Sequence, residues 1–178
     1  MMDLDRYDAA LLFFTQSEQS PHDEAESERW HLLKVRMAEC EYRMGRLGAA
    51  VTLAGQAKDS GGRSVRPQIV AEASYLLGSI AASSPSSVPE KPLTLFREGF
   101  DAIAKEPVTE VTWKLAVALG KEFLKRGQGE RAKECFIKAR LVLRFFLAQF
   151  TSSGLKNSYL MADDKERILA ALDSHLNM

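Results

Sequence analysis

The chain has 178 residues, of which 46% are hydrophobic and 27% charged, a composition typical of folded globular proteins and not of disordered ones. Basic and acidic side chains both number 24, so no net charge draws the chain toward nucleic acid or a membrane surface. An acidic start argues against a signal peptide, and the most apolar stretch, residues 141–150, is too short to span a bilayer. We therefore expect a protein of the cytoplasm or another reducing intracellular compartment, with no membrane partner.

Apolar residues recur at intervals of three and four along almost the whole chain, which is the pattern of amphipathic helices. Breaks are predicted at Ser20–Pro21, Gly45, Gly61–Gly62, residues 83–87 and Ser152–Gly154, where turn-forming residues collect. About eight helices result, approximately 4–18, 21–44, 47–58, 67–82, 91–105, 110–125, 130–150 and, capped by Asp163–Asp164, 165–176. No room is left for a sheet, so the sequence predicts an all-α fold.

Small residues repeat with a fixed spacing in two parts of the chain. The intervals are seven, five and seven in both sets, which are Ala38, Gly45, Ala50 and Ala57, and Gly120, Gly127, Ala132 and Ala139. The same offset aligns apolar residues between the two parts. Small side chains let two antiparallel helices approach closely, and the glycine between them can adopt the left-handed backbone of a tight turn. We expect Gly120 and Ala132 to face each other across such a pair.

The second set extends to a longer motif of leucine, small residue, aromatic, turn glycine, alanine, aromatic and alanine, met by Leu119, Gly120, Phe123, Gly127, Ala132, Phe136 and Ala139. This motif resembles the tetratricopeptide repeat family. The resemblance implies a right-handed α–α superhelix, or solenoid, of antiparallel helix pairs. It divides a single domain over residues 1–178 into a half repeat at 3–18, units at 21–60, 67–105 and 108–151, and closing helices at 154–177.

The half repeat at residues 3–18 matches only the second helix of a pair. It is either a terminal cap or the start of a piece cut from a longer protein, and we favour the second interpretation. The segment after residue 154 resembles the end of repeat arrays in large bacterial signalling regulators.

Family members bind ligands in a concave groove lined by the first helix of each pair. Carried over by position, the resemblance places twelve residues of this chain in that groove: Arg36, Glu39, Tyr42, Arg43, Glu72, Tyr75, Ser79, Lys114, Val117, Lys121, Leu124 and Lys125. The three lysines recur at helical spacing, so one end of the groove is expected to be basic and to suit an acidic peptide or a C-terminal carboxylate. A solvated lysine face is the alternative.

Residues that carry chemistry are scattered. Neither the three histidines, His22, His31 and His175, nor the two cysteines, Cys40 and Cys135, stand at metal-ligand or catalytic spacing. We therefore expect no enzyme activity, cofactor or metal. The sequence favours a protein–protein interaction scaffold within a larger regulatory assembly, which binds a peptide or helix of its partner.

Two alternatives remain open. A nucleic-acid-binding repeat could use the local basic excess of Arg131, Lys133, Lys138, Arg140 and Arg144 together with the lysines above. A self-assembling module is the other alternative, because an array that begins with half a repeat would expose an apolar end to a second copy.

Overall fold

The computed structural model describes residues 4–18, 27–63, 66–162 and 165–176. Within these ranges the secondary structure is all helical, without a strand, which confirms the predicted all-α class. The described helices are α1 Leu4–Glu18, α2 Ser27–Arg43, α3 Leu47–Arg63, α4 Pro67–Ser83, α5 Pro92–Ala102, α6 Glu110–Lys125, α7 Gly129–Gln149, α8 Ser153–Met161 and α9 Lys165–Leu176. The predicted boundary at Ser20–Pro21 and the cap at Asp163–Asp164 lie outside the described residues.

The chain divides into two compact units, Met1–Glu106 and Pro107–Met178. In the part of the chain that the structure covers, no helix combines the length and the apolar character that crossing a bilayer requires.

One of the predicted breaks is wrong: helix α3 continues through Gly61 and Gly62 to Arg63. Gly61 serves packing instead, since a Cβ there would lie 3.1 Å from Cγ2 of Ile69 in α4. The predicted break at Ser152–Gly154 is present at residues 150–152, and the helix α8 that follows it raises the number of described helices above the eight predicted.

The first unit is built from neighbouring helices that pack in chain order. Helix α2 contacts α1, α3 and α4, while α4 also contacts α3 and α5. Buried residues of four successive helices share one apolar cluster, with Ala38 from α2, Ala54 from α3, Leu77 from α4 and Leu95 from α5 among them. Burial of this shared apolar surface is the main stabilising contribution to the unit.

The turns after α2 and α6 have the same geometry. Gly45 and Gly127 adopt positive φ angles of 77° and 69°. In both turns the glycine N–H donates to the carbonyl three residues earlier, and the next N–H donates to the carbonyl five residues earlier. This pair of bonds is the Schellman motif, in which glycine accepts the left-handed backbone at little cost. The two predicted turn glycines are confirmed.

A phenylalanine ring closes two helix pairs against a glycine. A Cβ at Gly78 would lie 2.5 Å from Cε1 of Phe96, and a Cβ at Gly120 would lie 2.2 Å from Cε1 of Phe136. Neither distance is possible between real carbon atoms, so only glycine fits under these rings. In the pair α2–α3 the corresponding residues are two fully buried alanines, Ala38 and Ala54, whose smaller volumes replace the combination of glycine and ring.

The second unit packs α7 against both α6 and α9, and α8 against α9. Leu143 of α7 and Leu172 of α9 are buried. Glu110, in the first turn of α6, accepts hydrogen bonds from Trp113 Nε1 at 2.9 Å and from the hydroxyl of Tyr159 in α8. Lys165, at the start of α9, is buried beside the same carboxylate, so this polar cluster joins α6, α8 and α9.

Candidate functional site

The predicted groove residues of the first unit lie on two helices that contact each other directly, α2 and α4. We call this surface the α2–α4 face; it comprises Arg36, Glu39, Tyr42, Arg43, Glu72, Tyr75 and Ser79. On each helix the residues recur at intervals of three and four, which places them along one side. Short turns between successive helices make neighbours antiparallel, so α2 and α4 run in the same direction and present their sides as adjacent rows.

Charged residues of this face form a network across the two helices. Arg36 Nη2 lies 2.7 Å from Glu72 Oε2, and Arg36 Nη1 donates to Glu39 Oε2 at 3.3 Å. Arg43 lies 3.9 Å from the same Glu39, at the limit of an ion pair. Gln68 donates to Glu72 Oε1 at 2.8 Å and so fixes the carboxylate from its own helix. Arg36 is therefore held within the fold, whereas Arg43 keeps most of its donors for solvent or a ligand.

Two tyrosines provide the apolar part of the face. Tyr42 is half-buried against the core cluster of the first unit, and the ring of Tyr75 lies 6.2 Å from the ring of Phe96. Ser79 donates its hydroxyl to the Tyr75 carbonyl at 2.8 Å, a bond within its own helix. The tyrosines thus add partly exposed rings to the face that carries Arg43, a combination common in protein-binding surfaces.

The predicted groove residues of the second unit lie along α6, but they do not all face a surface as expected. Val117 is 8% exposed and belongs to the core, so it does not line a surface. Lys121 and Leu124 are exposed, and Lys114 is partly exposed with Nζ 5.8 Å from the ring centre of Trp113. The fifth residue, Lys125, donates to Glu122 Oε1 at 2.7 Å.

Glu122 is the centre of an ion-pair cluster at the end of α6. Its side chain is 6% exposed, and Arg126 donates both to its Oε2 at 2.7 Å and to its backbone carbonyl at 2.9 Å. Burial acts to raise the pKa of Glu122, but the hydrogen bonds and charges of Lys125 and Arg126 outweigh it and hold the pKa below the ordinary value. Two cations near a helix C-terminus also interact favourably with the helix dipole. Lys125 therefore already forms an ion pair within the fold, which a ligand would have to compete with.

The basic residues on which the nucleic-acid alternative depends are partly neutralised. Arg140 and Arg144 both lie near one carboxylate of α9, at 3.1 Å and 3.4 Å from Asp173 Oδ1. Arg131 stacks over the ring of Phe123 at 5.8 Å. The carboxylate of Asp173 reduces the positive charge that the second unit offers to phosphate groups, whereas Arg131 keeps its charge.

Two contributors were missed by sequence reasoning. One is Gln68, which lies four residues before Glu72 and donates to it. The other is Arg126, which lies four residues after Glu122 and donates to it. Both are spacings at which helical side chains meet, so i, i+4 pairing was a signal that could have found them.

Comparison with known proteins adds no relative. No protein-family model, curated protein or solved structure matches the chain.

Proposed function

We propose that this chain is a tetratricopeptide-like helical repeat that binds a peptide or helix of a partner protein on its α2–α4 face. The observation that carries the proposal is the partly exposed, mixed surface on two adjacent parallel helices, which combines the exposed Arg43 with two half-buried tyrosines, Tyr42 and Tyr75. Rigid aromatic rings and arginine are the side chains that contribute most to protein interfaces.

Repeated geometry supports the assignment to this type of repeat. The turns at Gly45 and Gly127 share their backbone angles and hydrogen bonds, and two helix pairs share a ring packed on glycine. Such pairs cannot cover their own apolar faces, and stacking them in series leaves a continuous row of first helices for a ligand.

The chemistry of the face favours a ligand with a carboxylate. Arg43 has a side chain that is 41% exposed and only a long contact to Glu39, so a bidentate pair with an acidic side chain or a chain terminus can form at small cost. Glu39 and Glu72 keep the surface from being uniformly positive, so shape and aromatic contact contribute beside charge.

Binding without catalysis is part of the proposal. Burial raises the pKa of both thiols, Cys40 and Cys135, and Glu39 and Glu41 add to the effect at Cys40. A raised pKa keeps a thiol protonated and unreactive at neutral pH. Their positions in helices α2 and α7 agree with a packing role.

Site-specific photocrosslinking in the native cell tests the proposal. A photoreactive phenylalanine analogue at position 43 or 79 should capture a discrete partner, and the same group at exposed Thr52 of α3 should not. Arg43→Glu should abolish capture from position 79 by reversing the charge offered to the ligand. Equal capture from positions 52 and 79, or capture that Arg43→Glu leaves intact, would remove the α2–α4 face as the binding site.

A self-assembling module is the second candidate, because α1 exposes two large apolar side chains. Leu12 is 65% exposed and Phe13 is 74% exposed. If α1 pairs with a second copy, sedimentation velocity should show a concentration-dependent dimer that Leu12→Ser removes. A monomer at every concentration would exclude this candidate.

A further inference from the structure

Helix α7 carries a row of exposed apolar residues on the side away from its core contacts. Ile137, Leu141 and Phe145 are 37%, 60% and 50% exposed. Their spacing of four places them in one row, about 12 Å long at 1.5 Å per residue. The buried side of the same helix is formed by other residues, among them Ala139 and Leu143.

This row is not the scattered apolar exposure that every protein surface has. Single exposed leucines need no explanation, whereas a contiguous row on one helix marks an interaction site. Helix α7 already contacts α6 and α9, and the row remains accessible in their presence. The residues can therefore meet a further helix without displacing a neighbour in the second unit.

Charge around the row is predominantly positive. Helix α7 has five basic and two acidic side chains, and both acidic ones, Glu130 and Glu134, lie in its first turns. On a helical projection, Lys133, Arg140 and Arg144 fall on one side of the row, and Lys138 falls with Glu134 on the other. The carboxylate of Asp173 serves both arginines, so these four basic side chains face two acidic ones and a positive surplus remains, mainly on the Lys133 side.

We propose that this α7 face, defined by Ile137, Leu141, Phe145 and their basic flanks, docks an acidic amphipathic helix of another protein. The apolar row is a ridge of the i±4 kind, which packs between the ridges of a second helix. Aspartate and glutamate on the flanks of that helix meet Lys133 and Lys138. A second copy of α7 is disfavoured as the occupant, because it would bring the same basic flanks together.

This inference goes beyond the proposed function, because it concerns a different helix in the other unit. The α7 face is expected to select an acidic helix, whereas the α2–α4 face carries both positive and negative side chains. The two sites are tested with different residues, so failure of one leaves the other standing.

Fluorescence anisotropy with a synthetic peptide tests the α7 face. The probe is a labelled eighteen-residue helix with leucines at positions three and four apart and glutamates on both flanks, and the full chain is titrated into it at low salt. Leu141→Ser should weaken binding about tenfold, the effect of losing one buried leucine contact. Lys138→Glu should weaken binding of the peptide more at low salt than at high salt. Leu155→Ser, which removes an equally exposed leucine of α8, should change nothing.

Several outcomes would overturn the inference. They are no binding of the acidic peptide, equal binding of a peptide whose flanks carry lysine, and unchanged binding by the Leu141→Ser chain. A dimer seen by light scattering that Leu141→Ser dissolves would make a second copy the occupant. Displacement of the peptide by a single-stranded oligonucleotide that binds the Leu141→Ser chain equally well would assign the basic flanks to nucleic acid.

Discussion

Gly78 sits where the backbone of α4 meets the ring of Phe96, and the absence of a side chain is what lets the two helices approach. Gly120 has the same relation to Phe136 in the other unit. Interiors are packed so closely that one added methyl group at such a point must move its neighbours. Glycine has a low helix propensity and so destabilises its own helix, but it allows a large aromatic ring to be buried between the two helices.

We predict that Gly78→Ala destabilises the first unit by up to about 2 kcal/mol. The added Cβ would lie 2.5 Å from Phe96 Cε1, and overpacking of this kind costs about 1–3 kcal/mol, of which improved helix propensity returns about 1. Gly55→Ala is the matched control, since Gly55 lies inside α3 with nothing within 4 Å of an added Cβ. It should stabilise by up to about 1 kcal/mol. Urea unfolding followed by circular dichroism measures both.

A smaller side chain at position 96 should relieve the overpacking that Gly78→Ala causes. In a Phe96→Leu background, Gly78→Ala is expected to cost less, because the flexible leucine can move from the new methyl group. Equal costs in both backgrounds would show that the ring does not set the requirement for glycine.

Sequence reasoning found these small residues but not their partners. The spacing of Gly120, Gly127 and Ala132 was readable because the same intervals recur at Ala38, Gly45 and Ala50. Ala132 was predicted to face Gly120; the atoms nearest to a Cβ at Gly120 belong to the ring of Phe136, one turn further along α7. Spacing gives the separation of residues along a helix, but the rotation of one helix against another depends on tertiary packing.

Glu122 provides a pH-dependent contribution to the second unit. Its folded pKa lies below the ordinary carboxyl value, so its carboxylate stabilises the fold above the unfolded pKa, and this stabilisation is lost as the pH falls through the folded pKa. We predict that Glu122→Gln lowers the free energy of unfolding at neutral pH by about 1 kcal/mol, the scale of a hydrogen bond to a charged group with half-exposed partners. The difference from the parent should vanish in acid. A difference that persists when Glu122 is protonated would contradict the role of its charge.

At the scale of elements, the second unit is closed by α8 and α9 through a polar cluster. Lys165 Nζ lies 4.4 Å from the ring centre of Tyr159 and 5.8 Å from that of Trp113, and it donates to the Ala162 carbonyl at 3.2 Å. Glu110 lies 3.9 Å from the same ammonium group. A buried lysine is tolerated here because two rings, a carboxylate and a carbonyl replace its water.

We predict that Lys165→Met loosens the contact of α8 and α9 with α6. Loss of the cation–π and charge contacts should cost about 1–3 kcal/mol, since Glu110 keeps only its two neutral donors. Hydrogen–deuterium exchange should quicken in α8 and α9 and stay unchanged in α2 and α4. The exposed Lys156→Met change in α8 is the control. Uniform faster exchange, or none, would contradict a local closing role.

Helix existence was predictable and helix ends were less so. The periodic apolar pattern found α2, α4, α6 and α7 because each has one strongly buried side. The glycine pair misled the prediction at the end of α3, since Gly61 serves a close helix contact and not a break. The candidate site was predictable as rows of residues, but ion pairs within the fold, such as Lys125 with Glu122, decide which side chains remain for a ligand.

Across the molecule one packing arrangement recurs within each unit. A helix pair, α4–α5 in the first unit and α6–α7 in the second, buries a phenylalanine ring against a bare glycine backbone. In the first unit α4, which carries Gly78, also contacts α2 and contributes Tyr75 to the proposed binding face. Testing the contact of Gly78 with Phe96 therefore tests how one of the two helices of that face is held.

Nuclear Overhauser spectroscopy provides that test most directly. The α-protons of Gly78 and Gly120 should show strong cross-peaks to the ring protons of Phe96 and Phe136, respectively, together with ring-current shifts. The α-protons of Gly55, which has open space around it, should show neither. Absence of both sets of cross-peaks in a folded sample would contradict the packing of the two phenylalanine rings on glycine.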